Sequence, residues 1–362
     1  MEHDWPANLF ARIAVPRLPG TPALPDVTTR IAGQLERWGF QVERQPFTTS
    51  SRRLTAASLG AAGLGWVALL LLPLLVLPVS GWIVAVVASG LLGLVAIVTH
   101  GVAEGYVPVG LPAIRAENLV AIRGRAPRWW LVAHLDSKSQ RFSLRGRVLA
   151  VLAVAVAGVL LVVLLALRVT GPVPWPVAFG VVGLVAGWAG VLSAAAPGND
   201  SPGAVDNASG MIAALAAARA LATHHDVGVL FTGAEEFGME GARVWCRGAS
   251  ADGVFVNFDG LDGRGGYRVI RHPGCEREAA RSLAAALGET GTPASVGPLP
   301  PGVMVDGAVL ARHGLSGVTV SRGDWTTLGV VHTGRDVPER VHVPDLVEAG
   351  RAVARWVSER AR

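Results

Sequence analysis

Seven residues stand out for chemistry. His134 and Asp136 close the apolar run WWLVA, Glu235 and Glu236 follow GVLFTGA, and Asp259 follows VFVNF. Asp206 lies in GAVDNASG, ahead of a helical stretch, and His332 lies in VVHTGRD. Imidazole nitrogens and carboxylate oxygens are donors that zinc-like ions accept, and a carboxylate outside that set can move protons. Taken singly, each residue has a plainer explanation. A strand-end histidine is commonly just hydrogen-bonded, GAEE can be a solvated acidic pair, Asp-Asn before a helix is a cap, and Asp259 before Gly260 can begin a turn. Taken in order, two histidines and three carboxylates with one acid to spare suit two divalent ions. A shared carboxylate would bridge them and the spare acid would act as base.

Such a set needs a scaffold that brings strand ends to one edge. LPDVTTRIAGQLERWG, residues 24–39, is an amphipathic helix, and FQVERQPF alternates as a strand. ENLVAIRG and WWLVAHLD follow as two strands joined by the short turn RAPR. A helix through MIAALAAARALA leads to DVGVLFTG, GVFVNFDG and LSGVTVS, apolar strands of a buried sheet with helices on its faces. VPDLVEAGRAVARWVSERAR closes the chain as a helix. Ligands at the carboxyl ends of such strands sit where open α/β sheets build their sites.

The motifs AHLDS, GAVDNASG, FTGAEEFG, NFDG and HTGRD, in that order, resemble the di-zinc aminopeptidases, metallopeptidase family twenty-eight of clan MH. The resemblance covers roughly residues 20–53, 117–140 and 198–360. It implies a three-layer α/β/α fold with a mixed, mostly parallel sheet, two Zn2+ ions and hydrolysis of N-terminal peptide bonds. By motif, His134 and Asp259 would hold one ion, Glu236 and His332 the other, and Asp206 would bridge them. Glu235 would be the general base, and Asp136 would orient His134. Rival readings are a carboxypeptidase-like or glutaminyl-cyclase-like enzyme on the same scaffold, and a non-catalytic receptor or scaffold that kept the fold. The full ligand set favours an active hydrolase. Two positions depart from the family: Val331 stands where some relatives place an oxyanion-stabilising tyrosine, and Val305, Asp306 and Val309 stand where Ser-Asp and a following Phe are common.

The composition adds a membrane. The chain is 51% hydrophobic and 16% charged, with the excess apolarity in residues 54–100 and 147–196. Four segments, roughly 57–79, 82–99, 148–167 and 174–196, are long enough to cross a ~30 Å hydrocarbon core. They form two hairpins, turned by LPVSGW and RVTGPVPWP. Buried core helices would not need such uninterrupted apolarity. His134 and Asp206 lie 72 residues apart, but without 141–197 only about fifteen residues remain, an ordinary connection. The second hairpin is therefore an insertion into a site loop.

The expected division is 1–53, 103–145 and 198–362 for the peptidase, with hairpins at 54–102 and 146–197. Because RAPR is short, the strands on either side of it should run antiparallel, which hangs both hairpins from the active-site end. Arg52, Arg53, Arg141, Arg145 and Arg147 flank the hairpins on the domain side, against Arg168 alone on the far side. The positive-inside rule then makes this a multi-pass protein with its catalytic domain on the cytoplasmic face of the plasma membrane. The same arginines would sit at headgroup level and attract anionic lipid. Expected partners are the lipid bilayer and peptides, membrane-derived fragments among them; no oligomeric state is assigned. Nucleic acid is not expected: the basic residues are nearly all arginine, Lys138 being the only lysine, which fits a GC-rich genome, and no basic-aromatic pattern occurs. Cys246 and Cys275 read as free thiols, and MEHDWPANLF is not a signal peptide.

Overall fold

A computed structural model describes residues 4–124, 126–248 and 253–360. Eight of its strands form one mixed sheet: β1 (Gln41–Thr49), β2 (Ile114–Ile122), β3 (Trp129–His134), β6 (Val227–Thr232), β7 (Val254–Leu261), β8 (Gly266–Arg271), β9 (Ala294–Gly297) and β10 (Ser316–Gly323). Their order is β1-β2-β6-β3-β7-β10-β8-β9, with β6, β3, β7 and β10 parallel at the centre. The remaining two, β4 (Ser139–Gln140) and β5 (Pro197–Gly198), pair as a small ribbon.

Both faces of the sheet are covered, and β3 shows why its sequence is continuously apolar. Trp129, Leu131 and Ala133 enter one core with α1 (Trp5–Ile13), α2 (Ala23–Arg37), α7 (Gly210–Ala220), α9 (Arg277–Gly288) and α11 (Val343–Arg360). Trp130 and Val132 enter the opposite core with α8 (Glu240–Gly248) and α10 (Asp306–Arg312). Alternate residues of a strand face opposite layers, so a strand covered twice has no polar face to spare. The result is the three-layer fold.

The strands flanking RAPR do run in opposite directions, but they are not neighbours: β6 lies between them, antiparallel to β2 and parallel to β3. Arg125 of that turn lies outside the described residues. Two helices that are not among the expected elements, α8 and α10, build most of the second layer.

The four apolar segments are helices: α3 (Arg52–Val76), α4 (Gly81–Glu104), α5 (Leu144–Arg168) and α6 (Trp175–Ser193). Each is long and apolar enough to cross a membrane. The two hairpins pack as one bundle, with α3 against both α4 and α6, and α5 against α6. Arg168 closes the far end. Its buried guanidinium donates to the carbonyls of Leu74 at 3.2 Å and Leu77 at 2.5 Å, and to that of Val79, which lie at and beyond the end of α3. Those carbonyls have no helical partner of their own.

All four helices leave from one edge of the sheet. Thr49 pairs with Ile114, so β1 ends and β2 begins beside each other, and α3 and α4 connect them. This is the edge at which β3 and β6 end. Arg53 locks the root of the first hairpin, its Nε donating to Glu240 of α8 at 2.5 Å and its Nη1 to Glu104 of α4 at 3.0 Å. That corrects one expectation: Arg53 is held by two carboxylates and is not free to attract anionic lipid.

Candidate metal centre

The carboxyl edge brings the sequence candidates together in one small pocket of about 80 Å³. His134, Asp206, Glu235, Glu236, Asp259 and His332 all line it. Leu54 of α3 and Leu144 and Arg147 of α5 are part of its wall, so the site lies at the roots of the apolar helices.

Two groups of donors converge. His134, Asp206 and Asp259 form one, Asp206, Glu236 and His332 the other, with the donor atoms of each group within 4.8 Å of one another. Asp206 belongs to both: its Oδ1 lies 2.9 Å from His134 Nε2 and its Oδ2 lies 3.1 Å from His332 Nε2. His332 Nε2 is 3.4 Å from Glu236 Oε1. Nitrogen and oxygen ligands at ~2.05 Å from a tetrahedral ion stand ~3.3 Å apart, so this spacing fits such ions. Asp206 Oδ1 and Glu236 Oε1 are buried without a well-aligned hydrogen bond, which close His134 and His332 nitrogens do not provide. Atoms that converge without bonding each other are aimed at a common point. The donor set fits two divalent ions, with zinc favoured by the histidines.

GAVDNASG is explained residue by residue. Asp206 and Asn207 have non-helical dihedrals within the turn Ala204–Ser209, and the peptide between them is cis. Asn207 Oδ1 accepts from Gly210 N at 3.1 Å and Gly260 N at 3.2 Å, while its Nδ2 donates to Phe258 O at 2.8 Å. The expected cap therefore also ties this loop to β7, beside Asp259. Ser209 Oγ accepts from Leu261 N at 2.9 Å. A methyl group on Gly210 would stand 2.5 Å from the Phe258 carbonyl oxygen, so only glycine allows this approach.

Asp136 acts through two different parts. Its carbonyl oxygen lies 3.1 Å from His134 Nδ1, closer than its carboxylate at 3.8 Å. The carboxylate instead accepts from the backbone of Glu235 at 3.1 Å and Glu236 at 3.0 Å. It sets the loop that aims both acids. Ala234 and His332 adopt left-handed dihedrals, φ 55° and 63°, uncommon for such residues and concentrated here at the site.

Burial governs the charges. Burial pushes the Glu235 carboxyl well above the usual range; His134 opposes this, while Glu236, Asp306 and Asp259 add to it. Asp259 is pushed up to about 7, also by burial. Burial acts on Asp206 too, but the two imidazoles overcome it and hold this acid well below its ordinary value. Glu236 falls to about 2, because Lys138 and His332 outweigh its burial.

Three supports are not marked as site residues by the sequence. Lys138 is buried with its Nζ 2.6 Å from Glu236 Oε2; being the only lysine is its one signal in the sequence, and that signal points to codon usage. Asp336, inside the HTGRD motif, accepts from Val205 N at 2.6 Å and Asp206 N at 3.2 Å. Arg17 is fully buried and donates to the carbonyls of Leu135 at 2.6 Å, Pro202 at 2.7 Å and Gly203 at 3.0 Å, joining the loops of His134 and Asp206. A lone arginine far upstream carries no local pattern.

Solved structures share the fold. A zinc aminopeptidase from Bacillus subtilis, BSAP, is 16% identical, with a TM-score of 0.57 over 98% of this chain and 94% of that one. An aminopeptidase from Aneurinibacillus sp. strain AM-1 is 13% identical, with a TM-score of 0.56 over 98% and 93%. A glutaminyl cyclase from Porphyromonas gingivalis is 15% identical, with a TM-score of 0.55 over 99% and 98%. No curated protein sequence matches the chain. Residues 119–357, which hold every candidate ligand, match the model of Peptidase family M28, and the chain belongs to that family.

Proposed function

We propose that the protein is a membrane-anchored, zinc-dependent metallo-exopeptidase, and specifically an aminopeptidase. One observation carries this reading: Asp206 is shared by two donor groups, with Glu235 beside them in the same pocket. His134 and Asp259 would hold one ion, Glu236 and His332 the other, with Asp206 between them. Bound there, two zinc ions would lower the pKa of a shared water and polarise the scissile carbonyl. Glu235 accepts the proton from the attacking water and returns it to the leaving amine. Asp136 fixes the Glu235 backbone for that transfer, and Lys138 balances the charge of Glu236. The zinc aminopeptidases that share the fold support the choice of the amino terminus.

A carboxypeptidase is the second reading, favoured by Arg147 in the pocket wall; Lys138, the other cation there, is already paired with Glu236. Peptides blocked at one end or the other separate the two. An aminopeptidase cleaves a carboxyl-blocked peptide and spares its amino-blocked counterpart, and the opposite pattern removes the aminopeptidase assignment.

The anchoring reading rests on the four apolar helices, and it retains the division into peptidase segments 1–53, 103–145 and 198–362 with inserts 54–102 and 146–197. With Arg168 buried against carbonyls, the flanking basic residues that keep some exposure, Arg52, Arg141, Arg145 and Arg147, belong to the domain side, which supports a cytoplasmic catalytic domain. Protease added to intact cells should leave that domain uncut, and digestion would reverse the topology.

A further inference from the structure

A second cavity, of about 470 Å³, adjoins the metal centre and shares Asp206 and Asp259 with it. That is within the ~300–1,000 Å³ of ordinary ligand sites. One wall is a single face of α5. Leu144, Val148 and Leu152 line it at successive four-residue steps, a row climbing ~12 Å at 1.5 Å per residue. Across from them lie Thr319 and Ser321 of β10; the Thr319 hydroxyl is taken up by Asn257 and His272, and the Ser321 hydroxyl donates to the Gly260 carbonyl at 3.1 Å. The loop carrying Pro300 and Val303 closes the cavity and sits directly on α5, for a methyl on Gly302 would stand 3.0 Å from Val151 Cγ2.

The row does not end inside the protein. Leu152 lines the cavity and is 43% exposed on the outer surface of α5, where Leu149 and Val156 are exposed as well. Met304 and Trp325, half exposed, stand at the rims of the two cavities. Large apolar side chains this exposed are rare on the α/β body. An apolar track thus runs from the outer face of a helix with the composition of a membrane span to the candidate ligands.

We infer that this track receives substrate laterally from the bilayer, and that the substrate class is peptides whose residues next to the scissile bond are apolar and membrane-embedded. This rests on the reading of the protein as a membrane-anchored metallo-exopeptidase. Apolar side chains of the peptide lie along Leu144, Val148 and Leu152. The helix that anchors the protein is then also part of its substrate site.

The test uses the full-length, zinc-loaded protein in phosphatidylcholine–phosphatidylglycerol vesicles. Leucine amide is compared with a single-span peptide that begins with the same residue. Leu152→Ala should lower kcat/KM for the embedded peptide roughly ten-fold more than for leucine amide, the discrimination that one apolar contact supplies. Leu152→Glu should widen the gap. Equal losses on both substrates, or none, would overturn the inference. A binding measurement keeps the test independent of folding defects and of turnover. Benzoylphenylalanine placed at 152 should crosslink to the embedded peptide at least ten-fold more than when placed at 163, near the far end of α5. Crosslinks at 152 to lipid alone, or equal yields at both positions, would mean that the track serves lipid or nothing. If the wild type cleaves neither substrate while residue 152 still captures the peptide, the hydrolase reading fails and the track stands. If leucine amide is cleaved without capture at 152, the track fails and the hydrolase reading stands.

Discussion

In the α/β body the largest apolar side chains point inward: Phe231, Phe255 and Phe258 are fully enclosed. Along the four apolar helices the aromatic ones point outward, with Trp66, Trp82 and Phe179, like Ile97, each more than half exposed, while Ala68, Ala157, Ala178 and Val185 fill the interior together with Leu71, Leu75, Leu161 and Leu164. Some glycines follow the same division, although Gly63 and Gly81 of the bundle also meet close neighbours. A methyl on Gly241 or Gly317 of the body would stand 2.3 Å from a carbonyl oxygen, whereas on Gly183, Gly187 or Gly190 of α6 it would meet nothing within 4 Å. Water explains the first arrangement through burial of apolar area. In lipid there would be no such drive, so helices would approach through small residues and tolerate large apolar ones outside. On the membrane-anchored reading, one chain uses two solvents and the candidate metal centre lies where they meet.

The largest effect that would break this comparison is expected at the junction itself. Asp206→Asn should weaken both metal sites, by at least ~100-fold in affinity, since a shared ligand is lost. Loss of only one ion, counted by metal analysis of purified protein, would mean that Asp206 does not serve both. On the bundle side, Arg168→Ala leaves three carbonyls without their charged donor and should cost about 2 kcal/mol, read as an earlier loss of helix packing on heating in vesicles. An unchanged transition would show that the far end needs no clamp.

A paired experiment sharpens the contrast between the two solvents. Gly241→Ala should destabilise by ~1–3 kcal/mol, because the new methyl has only backbone to push against. Gly187→Ala should stay within ~0.5 kcal/mol. Similar costs at both positions would erase the distinction, since α6 would then have a packed outer face.

The most gradual effect is a pH dependence within the body. His272, buried and 2.8 Å from Thr319 Oγ1, has its pKa lowered by burial to about 4. The unfolded chain binds this proton more readily, so the contribution is whole above ~6.5 and is lost as pH falls toward 4, at most ~3 kcal/mol. Removing the imidazole with His272→Gln should flatten that stretch of the stability curve. An unaltered slope would place the acid sensitivity elsewhere.

Much of this is legible in the sequence because local patterns announce it. β3 stops at His134, Glu236 follows the end of β6 by four residues and Asp259 lies near the close of β7, so all three can be placed near strand ends before any sheet is assembled. The four apolar helices are legible from apolar length alone. What stays hidden depends on partners distant in sequence. That β6 separates β2 from β3 follows from long-range pairing, and no feature of RAPR reveals it. The two hairpins fuse into one bundle through alanines and glycines scattered among equally apolar neighbours, without a polar face to mark the inside. The buried charges find their acceptors far along the chain: Leu74 lies 94 residues from Arg168, Glu236 lies 98 from Lys138, and Leu135 lies 118 from Arg17. Sequence offers no signal for such burial.

A two-ion peptidase centre at the roots of membrane helices, with Glu235 as its base, is the central claim. The most direct test is Glu235→Gln in full-length protein reconstituted in vesicles, with metal content and hydrolysis of an aminoacyl-amide measured on the same sample. Two zinc ions per chain are expected in both wild type and variant, with a loss of at least ~100-fold in turnover for the variant. Near-normal turnover in the variant would contradict the claim.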